Sequence, residues 1–130
     1  MTEHSPGHYL HDHYGPYTIE FDHEQTILTF QALPKHLNLA GSVHGGVLLF
    51  MADTVMSVAA VQAQKQPVVT LSMNSQFIAP AFCEQSIRAI ASVTAARRTV
   101  AFVSCRLCVE DQIIFTASGV WKTFKAPTTN

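Results

Sequence analysis

One carboxylate in this sequence stands where a carboxylate is costly. Asp53 lies inside the stretch HGGVLLFMADTVMSVAAVQAQ, residues 44–64, among Phe50, Met51, Val55 and Met56. An ionised acid with such neighbours must be paired, hydrogen-bonded or open to a wet cleft. In a cleft it is a general base or a nucleophile; otherwise it caps backbone or pairs with an arginine of a second subunit. The same stretch opens with His44-Gly45-Gly46. Unpaired N–H groups and a positive dipole end gather at a helix start, and glycine lets a ligand approach that backbone closely, which makes a seat for an anion or an oxyanion. The plainer alternative is that the two glycines only give the chain room to turn.

Other side chains carry less by themselves. Asn38, in the loop PKHLNLAGSVHGG, offers an amide that holds a carbonyl or a water, or that caps a turn. Arg97-Arg98 sits between two apolar runs, either gripping a phosphate or as solvated charge at a turn. Cys105 and Cys108 have C-x-x-C spacing, but residues three apart on a strand point to opposite faces, so core thiols are expected rather than a redox or metal pair. Cys83 has no activating base nearby in sequence. His4, His8, His11 and His13 cluster near the N-terminus without carboxylate or cysteine ligands at a settled spacing, so a solvated tail is expected there rather than a metal site.

These residues must be held by elements that the apolar pattern marks out. Residues 1–16 mix His, Pro, Gly and Tyr without periodicity and read as an arm or loop, and residues 127–130 as a tail, around a domain spanning 17–126. YTIEF and TILTF flank a polar turn at residues 22–25, a hairpin pattern. Residues 44–64 are apolar in nearly every helical direction, as in a helix buried on most sides. A membrane span is the alternative, but Asp53 in its middle costs about 2.5–3.5 kcal/mol on insertion scales and no second span shelters it. After Pro67 the period becomes two. Val69, Leu71, Met73 and Phe77 are expected on one face, with Thr70, Ser72, Asn74 and Gln76 on the other. Runs at 86–96, 99–109 and 112–124, broken by Arg97-Arg98 and Glu110-Asp111, read as consecutive antiparallel strands. The expected class is α+β: a curved antiparallel sheet wrapped around one long central helix.

Composition sets the outer limits. The chain has 130 residues, enough for one domain, and its 48% hydrophobic and 13% charged residues leave few charges to cover a monomer, so an oligomer is expected. A formal net charge of -1 gives no general attraction to nucleic acid or anionic lipid. Three cysteines cannot close a disulfide framework, and no basic-then-apolar leader is visible, so the cytoplasm is the expected compartment.

Taken together, Asn38-x2-Gly41-x2-His44-Gly45-Gly46-x6-Asp53 resembles the signature of hotdog-fold acyl-CoA thioesterases of the PaaI type, within the 4-hydroxybenzoyl-CoA thioesterase superfamily. The resemblance continues through Met73-Asn74-x2-Phe77-x2-Pro80, Arg97-Arg98-Thr99 and Gly119-x-Trp121. It departs at Ala96, where many relatives have Gly, and at the glycine-free turn 110–112. The resemblance implies a sheet wrapped round the helix, sheets joined edge to edge in a homodimer, dimers paired into a homotetramer, and active sites between subunits. It implies a small to medium acyl-CoA or aryl-acyl-CoA as substrate and no cofactor or metal. The Gly45 N–H would polarise the thioester carbonyl, and Asp53 of the other subunit would activate water or attack directly. Asn38 would position carbonyl or water, and His44 would steady the loop or meet the departing sulfur. Thr70 would orient the nucleophile, and Arg97 and Arg98 would take the CoA phosphates. A hotdog hydratase or dehydratase is the rival enzymatic reading, and a non-catalytic acyl-CoA sensor the rival of another class; the chain shows no basic helix of the kind a DNA-linked sensor carries.

Overall fold

A computed structural model describes residues 8–125. The elements run α1 (His8–Tyr14), β1 (Tyr17–Asp22), β2 (Gln25–Gln31), a 3-10 turn (Pro34–His36), α2 (Gly45–Gln64), β3 (Val68–Phe77), β4 (Ser86–Ala96), β5 (Val100–Val109) and β6 (Gln112–Thr123). All pairings are antiparallel, and the sheet order is β1-β2-β4-β5-β6-β3. The chain thus lays β4, β5 and β6 side by side as the alternating runs predict, but carries β3 to the far edge, beside β6. Short turns do not encode that crossing.

The concave face of the sheet holds α2, which packs against β2 through β6. Val47, Leu48, Met51, Ala52, Val55, Met56, Ala59 and Ala60 are buried there with Leu28, Phe115 and Trp121. Although α2 is long and apolar enough to cross a membrane, it is the core helix of this fold. It is not enclosed on every side, however. Gly46, Phe50, Asp53, Ser57 and Val61 form a half-buried to exposed stripe at helical spacing, along the gap that the curled sheet leaves open. Apolar composition alone concealed that gap.

From His8 onward, the described part of the arm holds a short helix rather than a loop. The short helix α1 is docked by stacking of Tyr14 on Phe50, ring centroids 4.5 Å apart. His36, 1% exposed, ties three segments together: its Nδ1 accepts from Leu33 N–H at 3.0 Å, its Nε2 meets the Tyr14 carbonyl at 2.5 Å, and its own carbonyl accepts from His44 N–H at 2.8 Å. This buried histidine sets where α2 begins. His4 and the tail 127–130 lie outside the described residues.

Candidate active site

The position of Thr70 is decided by an irregularity in β3. The register pairs Thr70 with Trp121 and Ser72 with Val120, which leaves Leu71 as an extra residue, a β-bulge. Strict alternation would put Thr70 on the face opposite Met73 and Phe77. The bulge resets the alternation, so Thr70 joins them on the face toward α2, and Ser72, Asn74 and Gln76 point away. Thr70 Oγ1 therefore donates to Asp53 Oδ1 at 2.7 Å.

Asp53 itself is half-buried in the open stripe of α2. Its partners are hydroxyls: besides Thr70, Ser57 Oγ lies 3.4 Å from the same Oδ1, and Trp121 Nε1 donates to Ser57 Oγ at 2.9 Å. Among the described residues no Lys, Arg or His pairs with Asp53.

At the start of α2, His44 is the N-cap, and its Nδ1 accepts from Gly46 N–H at 2.7 Å. The ring nitrogen that accepts carries no proton in this contact, which leaves Nε2 as the donor nitrogen of His44. The Gly45 N–H has no acceptor among the described residues. A side chain at 45 would bring a Cβ to 3.1 Å from the Phe77 ring, which lies across the same backbone. Beside it is an apolar cleft of about 250 Å³ lined by Val43, Leu48, Phe77, Ile78 and Pro80. A larger cleft, about 500 Å³, lies on the convex side of the sheet among Ser72, Phe102 and Ser118, with no titratable side chain in its wall.

The structure does not gather every expected residue. Asn38 binds its own loop: Oδ1 accepts from Ala40 and Ser42 N–H, and Nδ2 donates to Ser42 Oγ, leaving one amide hydrogen available. Arg97 and Arg98 are exposed at the β4–β5 turn, which is docked to the far end of α2 by Gln64 Nε2 donating to the Arg97 carbonyl at 2.8 Å. Cys83, Cys105 and Cys108 are free thiols, and burial pushes the Cys105 thiol up to about 12, so it is no nucleophile. Among the described residues, no three His, Cys, Asp or Glu side chains converge on a common point. Ser57 escaped the sequence reading, and Trp121 entered it only within the motif Gly119-x-Trp121, with no role assigned. Ser57 lies four residues after Asp53, the spacing at which helical side chains meet, and that was the available signal.

Residues 40–115 match the family model of the thioesterase superfamily, more than half of the chain and inclusive of both the glycine pair and Asp53. The chain belongs to the thioesterase superfamily. A Pseudomonas aeruginosa protein named provisionally as an esterase is 29% identical over 115 residues, 86% of each chain. Among solved structures, a variant of the phenylacetic acid degradation protein PaaI of Thermus thermophilus superposes with TM-score 0.82 at 20% identity, covering 89% of this chain and 99% of that one. The Escherichia coli PaaI protein gives 0.79 at 20% identity, covering 88% and 83%. A Streptococcus pneumoniae thioesterase solved with coenzyme A gives 0.77 at 17% identity, covering 82% and 87%. These likenesses fit the six-stranded sheet and single long helix: this is a hotdog-fold member of the thioesterase superfamily, an enzyme of thioester hydrolysis.

Proposed function

We propose that this thioesterase hydrolyses a small to medium acyl-CoA or aryl-acyl-CoA to the free acid and CoA, in a site shared by two copies of the chain. The observation that carries the reading is the 2.7 Å bond from Thr70 to Asp53, which presents a carboxylate without a cation at the open gap beside β3. The S. pneumoniae relative solved with coenzyme A supports CoA as the carrier.

Asp53 takes a proton from water as its oxygen attacks the thioester carbon. The carbonyl oxygen, now an oxyanion, is held by the Gly45 N–H at the positive end of the helix. Collapse of that intermediate re-forms the carbonyl, breaks the carbon–sulfur bond and releases CoA thiolate, with the Nε2–H of His44 positioned to meet the sulfur. Direct attack by Asp53 gives a mixed anhydride that water then opens, with the same products. Neither route requires a metal or an organic cofactor, because the thioester is already an activated acyl group. The apolar cleft by Phe77 receives the acyl group, the spare amide hydrogen of Asn38 meets carbonyl or water, and Arg97 and Arg98 meet the CoA phosphates.

One chain cannot bring Asp53 and Gly45 to the same carbon. From Gly45 to Asp53 the helix axis advances about 12 Å at ~1.5 Å per residue. A water between base and oxyanion seat requires both within about 3 Å of the reacting atoms. The edge strand supplies the remedy: β3 meets Asp53 at its Thr70 end and Gly45 at its Phe77 end. Antiparallel pairing of two β3 edges about a two-fold axis near Met73 therefore sets Asp53 of one copy toward Gly45 of the other.

The test is thiol release from a panel of acyl-CoAs of graded chain length together with phenylacetyl and hydroxybenzoyl esters. The wild-type chain is expected to release thiol from part of the panel, and Asp53→Asn to be slower by about 10² to 10⁴ at unchanged melting temperature. No release from any ester, or full turnover in Asp53→Asn, contradicts the proposal.

A further inference from the structure

The sequence motif Gly119-x-Trp121 has no part in the mechanism above, yet its indole reaches the base through one intermediate. Trp121 is 0% exposed, and its Nε1–H donates to Ser57 Oγ at 2.9 Å. An indole N–H only donates, so Ser57 Oγ must accept there and place its own hydrogen elsewhere. A helical serine left alone turns that hydrogen back to the carbonyl four residues earlier. Thr54, one turn away, does so, donating to the Phe50 carbonyl at 2.7 Å. Ser57 instead donates to Asp53 Oδ1 at 3.4 Å, the longer of the two hydroxyl contacts to that atom, as catalytic hydrogen bonds often are before substrate binds.

We infer that Trp121 is a positioning residue for the base: acting through Ser57, it loads Oδ1 of Asp53 with a second hydroxyl donor and leaves Oδ2 as the oxygen that takes the proton from water. This inference rests on the assignment of Asp53 as the base. No described donor reaches Oδ2. Both arms of the device come from one cross-strand pair, because Trp121 lies opposite Thr70 in the ladder, beside the Leu71 bulge. Thr70 reaches Oδ1 directly and Trp121 reaches it through Ser57. Gly119 is what lets the indole lie there: a Cβ at 119 would stand 2.9 Å from two ring atoms of Trp121 and collide with the Ser72 carbonyl oxygen.

The full chain is tested with Trp121→Phe, which removes the N–H and keeps an aromatic ring, with Ser57→Ala, and with the pair. Each single variant is expected to lower kcat about tenfold with KM unchanged, the effect of losing one hydrogen bond to a charged group, and the double variant to lose no more than either single. Because the chain has a single tryptophan, its indole N–H gives one resonance, which Ser57→Ala should move upfield and Asp53→Asn should also displace. A folded Trp121→Phe with wild-type kcat, additive losses in the double variant, or an indole resonance indifferent to Ser57→Ala overturns the inference. If Trp121→Phe does not fold, Ser57→Ala and the resonance decide it. A wild-type chain that releases no thiol defeats the functional reading and this inference with it; an active wild type with unaffected variants defeats this inference alone.

Discussion

The sheet has two edges, and they are built differently. At the β1 edge, Thr18, Glu20 and Asp22 are exposed beside a single large apolar side chain, Phe21 at 54%, and the strand pairs regularly with β2 along its whole length. At the β3 edge, Val69, Leu71 and Phe77 are 44%, 56% and 55% exposed, and the ladder is interrupted at Leu71. Charged and polar residues on an outer strand discourage pairing with other chains, whereas an apolar edge invites it. The acid, the threonine that holds it and the glycine-rich helix start all lie along the inviting edge. The proposed function thus asks one side of the molecule for both chemistry and association.

The largest effect that this contrast predicts is at Asp53. Replacement by Ala or Asn should reduce thioester hydrolysis by about 10² to 10⁴ while the melting transition stays in place. Next is the N–H of Gly45. Gly45→Pro removes that donor, and proline suits the first helical position once the Phe77 ring, 3.1 Å from the added Cβ, swings aside, so a folded chain slower by about 10² to 10³ is expected. His44 already has φ -59 and ψ 135, the extended geometry that a following proline favours. Smaller is the effect of a charge on either edge. Leu71→Lys should weaken self-association by about tenfold or more and lower activity at low protein concentration, whereas Thr18→Lys at the other edge should change neither; sedimentation and dilution assays read both. Equal behaviour of the two lysine variants would erase the distinction between the edges.

The sheet interior supplies the smallest effect and a control. Cys105, on central strand β5, is held up to about 12 from 9.0 by burial, so the folded state keeps its proton where the unfolded chain loses it. The folded state then binds more protons, and stability should fall as pH rises from about 9 toward about 12. That slope should be shallower in Cys105→Ala, as read from urea midpoints, and thiol reagents should modify half-buried Cys83 before Cys105.

Much of this was legible in the sequence, and the exceptions have physical causes. Strands and helix could be placed because apolar runs of the right period end at Pro34, Pro67, Arg97-Arg98 and Glu110-Asp111. Asp53 drew attention because its neighbours are apolar. The side of β3 that carries Thr70 was misread, since a bulge adds one residue and reverses the alternation without any composition signal. The amide of Asn38 turned out to be largely engaged by its own loop, an outcome set by a φ of 89° at Gly41 and by Ser42 rather than by Asn38 itself. Ser57 and Trp121 are 64 residues apart, and only the folded sheet brings them together.

The central claim is that one copy supplies the acid and another the oxyanion seat, and mixing tests it most directly. Asp53→Ala and Gly45→Pro chains, each about a hundredfold or more slower alone, are combined under conditions of subunit exchange and assayed for thiol release. In a mixed dimer one site carries both lesions and the other carries none, so activity should reappear, approaching about a quarter of the wild-type level for random pairing. A mixture that exchanges subunits yet stays as inactive as its components would contradict the account.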